Sequence, residues 1–172
     1  MKRNEENKLL NQTEALRKVQ AWQAAGEKVV FSNGCFDILH AGHASYLAAA
    51  KKFGDRLIIG LNSDASVRRL KGPNRPICCE ADRALLLSAL QMVDAVTLFD
   101  EDTPEQLITT LMPDVLVKGA DWAIEQIAGA RAVLEGGGEV LTVPLVEGRS
   151  TSTIIDTILQ LYRQSALPGE TP

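Results

Sequence analysis

Histidine is almost missing from this chain, with two in 172 residues. Cysteine is scarce and odd in number. Cys35, Cys78 and Cys79 give neither a disulfide framework nor a zinc pattern, and reduced thiols in a cytoplasm suit them best. No apolar run approaches the roughly 18 residues that a membrane span needs. The opening Met1–Glu6 is followed by no apolar core of the kind that directs export. Excess positive charge is absent too: 18 Lys and Arg stand against 22 Asp and Glu, a formal net charge of −4. This balance argues against broad nucleic-acid binding and leaves room for a local basic pocket. Nor is there an internal repeat or an interdomain linker. What remains is an ordinary globular composition, 45% hydrophobic and 23% charged, and a length that suits one domain. That domain is expected over residues 11–164, between a loose polar leader (1–10) and a short flexible tail (165–172).

Both histidines fall in one short stretch. Val29–Phe31 is an apolar, β-leaning run, and Asn33-Gly34 stops it as a turn. Asp37, His40 and His43 follow at intervals of three and lead into an alanine-rich helix, 44–52. Residues three apart share a helix face, so the two imidazoles are able to address one object. Three readings fit. The histidines are unrelated to each other and to function, or Asp37, His40 and His43 ligate a hydrolytic metal. In the third, Gly34 and Gly42 let the backbone approach a phosphate that the histidines and the helix start then bind.

The rest of the chain reads as alternating strands and helices. A capped helix starts at Asn11, with Glu14 as its capping partner, and ends at Gly26. Strands are expected at 56–62, 93–99, 114–118 and 139–143, which with the first makes five. A basic loop, 68–76, carries Arg68, Arg69, Lys71 and Arg75. The helix opened by Glu80–Arg83 is expected to pack Leu85, Leu86, Leu87 and Leu90 inward. Thr103, Pro104 and Gln106 read as the capped start of another helix, and 124–134 as a helical region interrupted at Gly129. Ser150-Thr151-Ser152-Thr153 opens the last helix, 151–164. One hydroxyl suffices for a cap, and the surplus suits the outer phosphates of a nucleotide. Strands separated by helices predict an α/β fold: a Rossmann-like, doubly wound, five-stranded parallel sheet with helices on both faces. In such sheets ligands bind beyond the carboxyl ends of the strands, where the histidine turn, the basic loop and the turns after Lys118 and Val143 all lie.

Gly34, Phe36, Asp37, His40, Gly42 and His43 meet every position of the Gly-x-Phe-Asp-x-x-His-x-Gly-His signature, so this stretch resembles the nucleotidyltransferase superfamily of cytidylyltransferases and pantetheine-phosphate adenylyltransferase. Ser150–Ile154 is similar to that superfamily's Ile-Ser-Thr-Ser/Thr-x-Ile element, with Arg149 in place of the first isoleucine. Lys-Gly-Pro-Asn-Arg-Pro (71–76), Val-Lys-Gly-Ala-Asp-Trp (117–122) and Ile-Ala-Gly-Ala (127–130) resemble the adenylyltransferase domain of the ADP-heptose synthases. This likeness runs over roughly residues 10–164.

The resemblance implies ATP, with Mg2+, and a sugar 1-phosphate (D-glycero-D-manno-heptose 1-phosphate) as substrates. The products would be pyrophosphate and ADP-heptose, which in that family feeds lipopolysaccharide core assembly. It implies His40, His43, Lys71, Arg75 and Arg83 as the catalytic set. Asn33, Gly34, Cys35, Phe36 and Gly42 would bind the nucleotide at the turn. Lys118, Gly119 and Asp121 would line the nucleoside pocket, and Ser150, Thr151 and Ser152 would hold the outer phosphates. Asp37 is expected to cap backbone N–H groups, with no protein metal site. A separate heptose kinase and a homo-oligomer are the expected partners. Cytidyl transfer to a polyol phosphate, making a product such as CDP-glycerol, is the nearest alternative: Leu145-Val-Glu-Gly148 lacks that branch's arginine, whereas Trp122 stands where the heptose enzymes commonly have tyrosine. A non-catalytic nucleotide sensor is the alternative of a different class.

Overall fold

The computed structural model describes residues 7–165. In chain order the elements are β1 (Leu9–Leu10), α1 (Gln12–Ala24), β2 (Val29–Gly34), α2 (Ala41–Lys51), β3 (Arg56–Asn62), α3 (Asp64–Lys71) and α4 (Glu80–Ala89). They continue with β4 (Ala95–Phe99), α5 (Glu105–Leu111), β5 (Val115–Gly119), α6 (Ala130–Glu135), β6 (Glu139–Val143) and α7 (Thr151–Ser165), with a short 3-10 turn at Ile124–Gln126. The sheet is six-stranded and parallel throughout, in the order β1-β4-β3-β2-β5-β6.

The pleat sorts the apolar residues into two cores. Along β2, Val29 and Phe31 face α1, α5 and α6, while Val30 faces α2 and α4. Along β3, Ile58 joins the first core, and Leu57, Ile59 and Leu61 join the second. Helices therefore cover both faces, and the sheet is Rossmann-like. With β1 set aside, the chain winds outward from β2 through β3 and β4, then returns to β5 and β6 on the other side. The crevice between β2 and β5 is the reversal point at which such sheets hold ligands.

Several expectations need correction. The sheet has six strands rather than five, because Leu9 and Leu10, at the end of the expected leader, pair with Val96 and Thr97 of β4. Two residues carry too little periodicity to announce a strand. The remaining leader residues 1–6 and the expected tail beyond Ser165 lie outside the described residues. The basic segment 68–76 is only half loop: Ser63 caps α3 by accepting the Ser66 N–H at 3.0 Å, and Arg68, Arg69 and Lys71 form its last turn. Cations are favoured there by the helix dipole. Leu85 and Leu86 are exposed and only Leu87 is fully buried, since a helix offers the core one stripe and not three consecutive residues. Thr103 does not cap α5, whose N-cap is Pro104 with no side-chain bond.

Candidate active site

The turn after β2 is held by strained and buried groups. Phe36 and Ile38 adopt φ of 47° and 49°, a left-handed conformation that non-glycine residues pay for with about 1–3 kcal/mol each. Asp37 between them is 1% exposed. Its Oδ1 accepts the Cys78 N–H at 2.8 Å, and its Oδ2 accepts the Ile77 N–H at 2.8 Å and Arg75 Nε at 2.7 Å. Burial by itself would raise the pKa of this carboxyl, but those three donors outweigh it and hold the group below the usual carboxylate range. Asp37 does cap backbone N–H groups, as expected, though those of the distant 72–79 loop and not of its own turn. Its two oxygens are thereby committed, which takes the carboxylate away from the metal reading.

His40 occupies the N-cap position of α2 without making a side-chain cap bond, so the first-turn N–H groups stay open. The His40 and His43 rings stack with centroids 3.8 Å apart and planes 23° apart, and Phe36 meets His43 edge-on at 5.3 Å. Among the described residues neither Nδ1 has a partner, although both are buried. Burial pushes His43 down to about 4, with its stacked neighbour adding to the shift, and burial with the Arg149 charge lowers His40. Gly42 allows the packing. A Cβ there would sit 2.9 Å from His40 Cε1 and 3.1 Å from Arg149 Cβ. Tyr46 pins α2 beneath the pair: its hydroxyl donates to Val117 O at 3.0 Å and bonds Ser32 Oγ at 2.8 Å, and burial pushes its pKa up to about 12.

The α7 start comes to the same place. Thr151 Oγ1 donates to Asp37 O at 2.6 Å, joining the hydroxyl motif to the histidine turn across 114 residues of chain. Ser150 is the cap, accepting the Thr153 N–H at 3.0 Å, and its hydroxyl bonds Thr153 Oγ1 at 2.8 Å. That leaves the exposed Ser152 hydroxyl without a protein partner among the described residues. Across the crevice, Lys118 Nζ at the end of β5 donates to Asn33 Oδ1 at 3.0 Å and lies 5.6 Å from the Trp122 ring. Burial pushes this ammonium below its ordinary pKa, with Asp121 and Cys35 opposing. Asp121 folds back over Gly119, where a Cβ would come 2.5 Å from its Oδ1.

The expected residues divide accordingly. His40, His43, Gly42, Thr151, Asn33 and Lys118 converge at the crevice, and Gly34 lies under the Phe36 ring. Cys35 is part-buried, and burial raises its thiol pKa against the opposing charges of Lys71, Arg83 and Arg75. Lys71 is exposed at the end of α3. Arg75 has its Nε on Asp37 and its side chain 18% exposed. Arg83, expected at the reacting phosphate, is enclosed among oxygens of the turn, the loop and α3. It is 1% exposed, and its nitrogens donate to Cys78 O (3.0 Å), Cys35 O (2.6 Å) and Asp64 Oδ1 (2.8 Å). In this structure it is a pin joining the turn, α3 and the loop. Arg69 faces away, onto Asp102 at 2.8 Å. Arg149 was not among the expected site residues. A charged residue where the motif usually carries isoleucine was the available signal. A depression of about 520 Å3 opens at the opposite end of the sheet, between Gln23, Lys28, Asp114 and Glu139, and includes none of these groups.

A family model described as cytidylyltransferase-like matches residues 31–156, which reach from β2 into α7. The chain belongs to the cytidylyltransferase-like family. Bifunctional protein HldE of Methylobacillus flagellatus is 54% identical over 149 residues, 87% of this chain and 30% of its own length. The HldE of Geobacter metallireducens is 56% identical over 144 residues, 84% of this chain and 29% of its own. This chain thus spans about 30% of the length of the curated relatives it matches. A crystal structure of the lipopolysaccharide core biosynthesis protein from Thermoplasma volcanium superposes with a TM-score of 0.56 at 32% identity, covering 70% of this chain and 98% of that one. Among the described residues no helix is long and apolar enough to cross a membrane.

Proposed function

We propose that this protein transfers the adenylyl group of ATP to a sugar 1-phosphate, D-glycero-D-manno-heptose 1-phosphate, releasing pyrophosphate and forming ADP-heptose. One observation carries the reading: the stacked, neutral His40–His43 pair at an uncapped helix start is joined to the hydroxyl-rich start of α7 through the Thr151–Asp37 bond. Two helix N-termini thereby meet over one crevice, and each favours an anion. Sequence kinship with the HldE proteins and structural likeness to a lipopolysaccharide core biosynthesis protein support the sugar-nucleotide assignment.

The chemistry asks little of a base. A phosphate oxygen of the sugar 1-phosphate, already anionic, attacks the α-phosphorus of ATP. The new P–O bond forms as the bond to the bridging oxygen breaks, and pyrophosphate leaves in line. The protein's part is to align the partners and to offset charge on the oxygens of the α-phosphate and the leaving group. A neutral imidazole donates from one nitrogen. With Nδ1 buried and unpartnered in both rings, the donor is assigned to Nε2, the remaining ring nitrogen of each. In this reading His40 and His43 donate to the α- and β-phosphates. Ser152 and the α7 start hold the outer phosphates, Lys71 and Arg75 meet the sugar phosphate, and Lys118, Gly119 and Asp121 line the nucleoside pocket. Mg2+ would arrive with ATP and spread charge over the phosphate oxygens. The sugar phosphate would come from a separate kinase, the chain would act as a homo-oligomer, and the reaction would take place in the cytoplasm.

The test is pyrophosphate release with ATP or CTP, each offered with a panel of sugar and polyol phosphates. ATP with heptose 1-phosphate is expected to be the preferred pair. His40→Ala and His43→Ala should each lose at least about a hundredfold in turnover with the fold intact, the scale of one lost transition-state donor. CTP with glycerol 3-phosphate as the best pair would move the chain to the cytidylyl branch. Nucleotide binding without release from any pair would make it a sensor.

A further inference from the structure

We propose that Arg149 binds the nucleotide's phosphates beside His40, supplying a positive charge that the histidine pair does not. This rests on the nucleotidyl-transfer reading for the identity of the ligand, though not for the geometry. The root of Arg149 and the His40 ring share one small platform. A Cβ on Gly42 would meet both, Arg149 Cβ at 3.1 Å and His40 Cε1 at 2.9 Å. The residue sits immediately before the Ser150 cap of α7, and its backbone N–H closes a turn onto Val146 O at 3.3 Å. The guanidinium is exposed and has no side-chain partner among the described residues.

The other cations near the crevice are already engaged or stand farther out. Arg83 is buried on three oxygens, Arg75 is tied to Asp37, and Lys118 is bonded to Asn33. Lys71 is exposed at the end of α3. A nucleoside triphosphate brings several negative charges, and two neutral imidazoles donate to them without balancing them. A guanidinium does both, and its planar fork fits two phosphate oxygens at once. An apolar residue at this position, as in the related motif, would leave that part of the charge to the helix starts.

The experiment compares wild type with Arg149→Ile, Arg149→Ala and Arg149→Lys. Binding of ATP and of inorganic pyrophosphate is followed by calorimetry, turnover by pyrophosphate release, folding by thermal unfolding, and the His40 ring by NMR titration. Expected are unfolding midpoints within about 2 °C of wild type, as for a surface change. Pyrophosphate and ATP should bind roughly ten- to a hundredfold more weakly to the Ile and Ala variants, the scale of a lost hydrogen bond to a charged group, with Lys between. The His40 pKa should rise in Ile and Ala, since Arg149 from the α7 start is the charge facing it, with the uncharged His43 stacked on it from α2, and it should not rise in Lys. Unchanged anion affinity in Arg149→Ile would overturn the proposal even where wild type turns over normally. Weakened pyrophosphate binding in a protein that makes no sugar nucleotide would uphold Arg149 and overturn the function proposed above.

Discussion

At the scale of single residues, the site is governed by which groups keep their charge. His43 is the informative one, because its folded pKa of about 4 lies well below the ordinary histidine value of about 6.5 that unfolding restores. Between those two values the unfolded chain binds a proton that the folded chain refuses. Stability is therefore complete above about pH 6.5 and is lost as the pH falls toward 4. Wild type should show a larger drop in unfolding midpoint between about pH 7 and pH 5 than His43→Asn, in buffer free of phosphate. Equal drops in the two proteins would mean that some other group sets the acid limb. Bound phosphate reverses the preference, since an anion beside the ring favours the imidazolium, so pyrophosphate should flatten the wild-type dependence.

At the scale of elements, the 72–79 loop shows what a sequence reveals and what it hides. The Asn11 cap was legible because its capping box is local, whereas the Asn33-Gly34 turn was not: both residues continue β2 and pair with Gly60 and Leu61 of β3, because a neighbouring strand's hydrogen bonds outweigh a turn propensity. The approach of Thr151 to the histidine turn was legible only through the fold class, which sends every strand's carboxyl end to one rim. Arg83 was not legible as a pin. A charged residue at a helix start looks like a surface group or a ligand for phosphate, and its acceptors lie 5, 19 and 48 residues away in sequence. Nothing in the spacing announces that three oxygens will converge there. Asp37 and Arg83 together clamp the loop, one through Ile77, Cys78 and Arg75, the other through Cys78 and Cys35. Arg83→Met removes the charge at similar length and strands Asp64 with two carbonyls. It should cost about 3–5 kcal/mol, the penalty for breaking a buried pair, read as a lower denaturant midpoint. An unchanged midpoint with lost turnover would instead return Arg83 to the reacting phosphate.

At the scale of the whole molecule, the two helix starts belong to opposite halves of the sheet. α2 follows β2, which runs on into β3 and β4, whereas α7 follows β6 beyond β5. The halves meet through the β2–β5 ladder, and the Asn33–Lys118 and Tyr46–Val117 bonds cross the same junction. A triphosphate lying across both helix starts would add a further tie between the two halves. ATP with Mg2+ at about a hundred times its dissociation constant should stabilise the fold by about 2.7 kcal/mol. More tellingly, amide exchange should slow together at the α2 start (41–43) and the α7 start (151–153), since one ligand suppresses local opening of both. The Ala41 and Gly42 N–H groups, which have no cap, should respond most, because they change from solvent to phosphate as partner. In Arg149→Ile the slowing at α7 should weaken more than that at α2, as the anchor is lost on that side alone. Protection confined to α2 in wild type would show that the nucleotide touches only one half, and the hydroxyls at 150–153 would then be no more than a cap.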